Sequence, residues 1–166
     1  MTATIIYAPI RKSYHENNRK EYKPNYKKTE KCVFCEYKKI PKLIVYDGNT
    51  AVIMANAFPY NFGHLLVIPK RHIINIEDLN KDEDKDIMLL LKRGVKYLKN
   101  GFNANSFNIG VNIGSLGGGS VEHLHWHIVP RYKGDVGFMQ TINNSTIQAN
   151  KPEDMVKELK RKNGLR

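Results

Sequence analysis

The sequence predicts an α+β domain built on a largely antiparallel sheet. Three observations predict it. Short apolar runs recur, bounded by Gly, Pro, Asn and Asp turns, as strands require. One long amphipathic segment carries a helical period. The order of elements is three strands, a helix, two strands and a short final helix, which suits segregated layers.

Leu43 to Tyr46 reads as the first strand, closed by the turn Asp47-Gly48-Asn49. Thr50 to Met54 is the second strand of that hairpin. A loop from Asn56 to Gly63 leads to a third strand, His64 to Ile68, apolar enough to bury both faces. Pro69 is expected to end it.

The helix is expected over Asp78 to Lys99. Ile87, Leu90, Leu91, Val95 and Leu98 share one face, acidic residues crowd its start and basic residues its end. Asn100-Gly101 supplies the expected stop. Phe107 to Ile113 reads as a fourth strand, Gly114 to Ser120 as a glycine-rich loop, and Val121 to Val129 as a fifth strand ended by Pro130. Pro152 to Lys162 is a short basic helix with Pro152 in its first turn.

The 166 residues carry a formal charge of +11, with 41% hydrophobic and 10% aromatic residues, so the composition is that of a folding chain. No apolar run reaches the roughly 18 residues of a membrane span. The first residues hold too short an apolar stretch for a secretory signal. Two cysteines cannot build a disulfide framework, which fits a reducing, cytoplasmic compartment.

The charge is uneven. Residues 1–42 hold 11 basic and 4 acidic side chains, residues 43–150 hold 10 and 9, and residues 151–166 hold 6 and 3. Three segments are therefore expected: a basic arm over 1–31, a domain over 32–150, and a basic helix or tail over 151–166. The arm reads either as a solvated tail or as a polyanion-binding segment, with Tyr14, Tyr22, Tyr26 and, just beyond it, Tyr37 interleaved with charge.

His123-Leu124-His125-Trp126-His127 is the densest chemical signal. In a strand, alternate residues share a face, so the three imidazoles point one way, about 6.6 Å apart along the chain. That spacing is too wide for one metal and suits separate tasks along a groove. An imidazole near its ordinary pKa serves as nucleophile, acid, base or ligand. The preceding Gly117-Gly118-Gly119-Ser120 can turn amides and a hydroxyl towards an anion.

His123-Leu-His125-Trp-His127-Ile-Val resembles the signature of the histidine triad family. So do Asn112-Ile-Gly-Ser-Leu-Gly-Gly-Gly-Ser120, the stretch Asn56-Ala-Phe-Pro-Tyr-Asn-Phe-Gly63-His64 through His72, and Pro130-Arg131-Tyr-Lys-Gly134-Asp135. The resemblance covers roughly residues 32 to 140 and is nearest the branch of diadenosine tetraphosphate phosphorylases and related hydrolases. It implies the five-stranded family fold and reaction at the α-phosphorus of a nucleotide such as diadenosine tetraphosphate. His125 would attack and carry a covalent nucleotidyl group, which water or phosphate releases. Its other ring nitrogen should then donate to a fixed acceptor such as a backbone carbonyl.

The resemblance also implies roles for the neighbours. His127 would contact the phosphate or leaving oxygen, with His123 completing the triad. Ser120 and the amides of Gly118 and Gly119 would stabilise phosphoryl charge, with Asn112 nearby. Asn56 would bind ribose hydroxyls, and His64 would support the strand. A nucleoside phosphoramidate substrate, or a non-catalytic nucleotide- or nucleic-acid-binding module using the basic arm, are the alternatives.

Cys32-Val-Phe-Cys35 has metal-ligand spacing but needs two more donors for a tetrahedral zinc site. Zinc-bearing family members imply His72 and His123, with zinc structural. A redox pair and a packed, metal-free thiol pair remain as other readings. The resemblance further implies a homodimer or larger assembly, paired through the long helix and its adjacent strand into a ten-stranded sheet.

Overall fold

In the computed structural model, the described residues are 32–119, 121–135 and 151–165, the Ser115 side chain excepted. The expected arm over 1–31 and Ser120 lie outside them. Strand β1 (Ile44–Asp47) pairs antiparallel with β2 (Ala51–Ala55), and β2 with β3 (Leu65–Pro69). Helix α1 (Lys81–Phe102) follows, then β4 (Ser106–Val111), β5 (Trp126–Arg131) and helix α2 (Pro152–Asn163). The sheet order is β1-β2-β3-β5-β4, antiparallel throughout. The expected α+β fold is thus observed.

The hairpin turn is closed from outside. The buried Asp86 carboxylate of α1 accepts the Thr50 and Ala51 amides at 2.7 and 3.0 Å and the Thr50 hydroxyl at 3.1 Å. β2 and β3 are buried along their whole length, as their unbroken apolar runs require. α1 packs over β2, β3 and β5, and α2 packs on α1 and β1.

Several boundaries differ from expectation. α1 starts at Lys81, not Asp78, because Asn80 and Glu83 cap each other. The Asn80 side chain accepts the Asp82 and Glu83 amides, and Glu83 accepts the Asn80 amide at 3.0 Å. Asn100-Gly101 does not stop it. Gly101 stays helical because its bare face lies against Leu159 of α2, where a Cβ would come within 2.8 Å of Leu159 Cδ1. The helix ends instead at Asn103, which is left-handed at φ 54° and donates its amide to Leu98 and Lys99 carbonyls.

The fifth strand starts at Trp126, not Val121. β4 turns away after Val111, which pairs with Trp126, so residues upstream of Trp126 have no ladder partner there. They are held differently. The Leu124 amide donates to the Ile73 carbonyl at 2.6 Å. Pro69 ends β3 as expected, as its last residue, paired with Ala51, whereas Pro130 lies within β5, which runs on to Arg131.

Gly94, at the middle of α1, lets the helix close on the sheet. A Cβ there would lie 2.6 Å from Ile128 Cδ1 of β5. Among the described residues no helix is long and apolar enough to cross a membrane. Gly94→Val should cost about 1–3 kcal/mol by overpacking this contact, read as a lower urea midpoint with an unchanged m-value.

Candidate active site

His127 lies on β5 opposite Leu66 of β3, while His125 and His123 precede the strand. All three are buried, and so is His64, immediately before β3. Gly63 takes φ 83°, with Leu98 and Pro130 side chains about it, and this left-handed turn delivers His64 into the sheet.

Backbone groups decide which nitrogen of each ring holds its hydrogen. His125 Nδ1 lies 2.7 Å from the His123 carbonyl. A carbonyl only accepts, so Nδ1 carries the hydrogen and Nε2 keeps its lone pair. His64 works in the opposite sense. Its Nδ1 accepts the Tyr60 amide at 3.0 Å, so its Nε2–H donates to His127 Nδ1 at 2.9 Å. The hydrogen of His127 therefore sits on Nε2. That atom is buried and has no hydrogen-bond partner among the described residues. Two adjacent rings, with centroids 5.0 Å apart, thus present a lone pair and an N–H donor side by side.

Burial holds these rings neutral. It pushes His64 down to about 3, aided by the charges of His127 and His125, and His127 down to about 4, aided by His125. Burial also lowers His125, against the opposing effect of its bond to the His123 carbonyl.

His125 and His127 open on a cavity of about 510 Å³. Its walls include Val33, Phe34, Met54, Phe58 and Tyr60, with Asn56 and Val121 also on the lining. Phe34 packs on His125 with ring centroids 4.9 Å apart, and Tyr60 stacks on His127 at 5.6 Å and 16°. The aromatic residues Phe34, Phe58 and Tyr60 were not singled out as site residues from the sequence. The signal available was aromatic placement between the two cysteines and beside Pro59 in the loop before His64.

The other sequence candidates are placed as follows. Asn56 Oδ1 accepts the Phe58 amide at 3.0 Å, and its Nδ2 lies 3.3 Å from His64 Nδ1. His64 sits behind His127 and is absent from the cavity lining. Asn112 Nδ2 donates to the Gly118 carbonyl at 3.4 Å. In the glycine loop, the Gly117 and Gly119 amides turn inward onto the Gly114 carbonyl at 3.1 and 3.0 Å.

Behind His125 stands a second cluster. One donor atom each from Cys32, Cys35, His72 and His123 lies within 4.8 Å of the others. His123 Nδ1 is 3.3 Å from Cys32 Sγ and 3.6 Å from Cys35 Sγ, and His72 Nδ1 is 3.3 Å from Cys35 Sγ. His123 Nε2 donates to the Pro69 carbonyl at 2.9 Å, which leaves Nδ1 as a lone pair facing the sulfurs. These edges match a tetrahedron with metal–ligand bonds of about 2.0–2.3 Å. Burial and neighbouring Cys32 push the Cys35 thiol up, so a cation is the natural stabiliser of its thiolate. The donor set fits a metal.

A five-stranded sheet carrying a buried histidine row beside an apolar cavity, braced by a Cys2His2 cluster, defines the class of domain. The HIT domain family model matches residues 37–134, and the chain belongs to the histidine triad family. It is 39% identical to a Mycobacterium tuberculosis AP-4-A phosphorylase over 106 residues, 63% of this chain and 54% of that protein. The chain thus spans about half the length of that relative. It is 32% identical to a Dictyostelium discoideum bis(5'-adenosyl)-triphosphatase over 118 residues, 69% of this chain and 79% of that one. A zinc-bound histidine triad family protein from Mycobacterium smegmatis superposes with a TM-score of 0.66 at 26% identity, over 80% of this chain and 93% of that one.

The depressed His64 gives a pH signature. Above its unfolded value near 6.5 both states are neutral and its effect on stability is constant. As pH falls from about 6.5 towards 3, the unfolded chain binds the proton first, so native stability declines and then levels off. Urea midpoints should fall across this window, and His64→Gln should flatten the fall.

Proposed function

We propose that this domain is a nucleotidyl-transferring enzyme acting at the α-phosphorus of a dinucleoside polyphosphate, with His125 as nucleophile. The carrying observation is the pairing of opposite tautomers. The His123 carbonyl leaves His125 Nε2 with a lone pair, and the Tyr60–His64–His127 chain leaves His127 Nε2–H as an unused buried donor. The relatives named for AP-4-A and bis(5'-adenosyl) triphosphate support the substrate class.

In the first step the His125 Nε2 lone pair forms a bond to the α-phosphorus. The bond from phosphorus to the bridging oxygen breaks, and its electron pair leaves with the outgoing nucleotide. His127 Nε2–H donates a hydrogen bond to that oxygen as its charge grows. In the second step the oxygen of water or inorganic phosphate bonds to the phosphorus of nucleotidyl-His125, the P–N bond breaks, Nε2 recovers its lone pair, and the proton of the attacking group is released to solvent. The low pKa of both rings keeps these roles in force at neutral pH.

The cavity is of the size that takes a small ligand, about 300–1,000 Å³. Its Phe34, Met54 and Phe58 walls suit a nucleobase, and Asn56 Oδ1 retains a second lone pair for a ribose hydroxyl. We assign Asn112, Gly118, Gly119 and Ser120 to the phosphate chain. Contact with the Gly119 amide requires the loop to release the Gly114 carbonyl. His123 is assigned to the metal cluster instead of the chemistry.

Cys32, Cys35, His72 and His123 would hold zinc. Zinc held there would supply no reaction step, because four protein ligands would leave it no open position. Its service is positional, since His123 lends its carbonyl to His125 and Phe34 packs against both rings. A homodimer through β4, which is at the sheet edge, would give that strand a partner.

Mixing with diadenosine tetraphosphate should add the mass of one nucleoside monophosphate to the chain. His125→Ala should abolish the adduct and lower turnover by about 10⁴-fold or more; full activity in that variant would sink the mechanism. Dependence of release on added phosphate separates phosphorolysis from hydrolysis. Metal analysis should find one zinc per chain, and both a chelator and Cys32→Ala should lower the thermal midpoint.

A further inference from the structure

α1 carries a lysine stripe that neither the fold nor the active site uses. Lys81, Lys85, Lys92, Lys96 and Lys99 are all exposed. At 3.6 residues per turn they fall within an arc of about 60°, opposite the buried face, over a length of about 27 Å. Among the described residues none of the five makes an ion pair. Arg93, to one side, is occupied over the Tyr46 ring at 4.2 Å.

The stripe arises because nearby acids are spent internally. Asp86 closes the β-hairpin turn, Glu83 pairs with Arg71 and caps α1, Asp47 pairs with Lys70, and Asp135 pairs with Arg131. Asp82 and Asp84, exposed in the first turn of α1, fall outside the lysine arc, so a segment that is nearly neutral by count shows one sign along the arc.

We propose that the outer face of α1 binds the phosphate backbone of duplex nucleic acid without reading its sequence. Unpaired lysines in line are point charges suited to backbone phosphates, in a chain with pI near 9.6. The stripe has no Arg, Asn or Gln to read base edges. It also has no aromatic side chain on which unpaired bases would stack, which favours duplex over single strands. A second copy docked two-fold on this face would set lysine against lysine. The surface is separate from the histidine site, so the proposal stands whether or not the chemistry above is right.

The test uses the full chain and a labelled mixed-sequence DNA duplex, read by fluorescence anisotropy across a salt series. Five phosphate contacts predict a slope of log K against log salt of about −4.5, a loss of about 500-fold between 50 and 200 mM salt. The triple variant Lys85→Gln, Lys92→Gln, Lys96→Gln should bind at least about tenfold more weakly at 50 mM salt, with a slope near −2. Its far-UV circular dichroism and nucleotide turnover should be unchanged. The matching Lys→Arg triple should retain binding.

An unchanged slope in the Gln triple would overturn the proposal and move any binding to the N-terminal residues. Equal or tighter binding of polyglutamate would overturn it in favour of an acidic protein. A change of oligomeric state in the Gln triple, seen by light scattering, would overturn it in favour of a second copy. No duplex binding at 50 mM salt would also overturn it.

Discussion

A neutral imidazole has one hydrogen for two nitrogens, and in this domain main-chain groups decide where it goes. The Pro69 carbonyl fixes His123, the His123 carbonyl fixes His125, and the Tyr60 amide fixes His64 and through it His127. Burial prevents the alternative of protonating both nitrogens. The rings thereby acquire different chemistry from identical side chains. Three histidines in the sequence are equivalent; three histidines in the fold are a cluster donor, a lone pair and an N–H.

The same segment joins the cluster to the cavity. Residues 123–125 leave the ladder because β4 turns away, and they are then tied to the end of β3 and to the stretch that follows His72. The turn Cys32 to Cys35 contributes two sulfurs to one side and the Phe34 ring to the other. A shift of the cluster is therefore felt at His125 through one carbonyl and one aromatic contact. This accounts for a donor set that fits a metal standing beside the histidine site and not within it.

Charge shows a parallel division. Glu83, Asp86 and Asp135 are drawn into caps, turns and pairs, where a carboxylate satisfies amides that water cannot reach. The lysines, with long stems, stay outside. Net charge by segment misses this, because a sum over the chain ignores which side chain faces solvent.

The sequence by itself determined the architecture. β2, β3 and α1 announce themselves by unbroken apolar runs and one helical stripe, and the row His123, His125, His127 marks the site by its period of two. These are local signals, readable without any partner. Tertiary structure decided the rest. α1 starts after Asn80 and not at Asp78 because Glu83 returns the cap, and Gly101, a stop signal in the sequence, stays helical against Leu159 of α2. β5 lost its first residues because a strand lasts only as long as its neighbour. The tautomer of His125 was expected, but those of His64, His123 and His127 were beyond the sequence for the same reason. Each depends on a carbonyl or amide brought to it by the fold, and only His125 takes its partner from a residue two positions away.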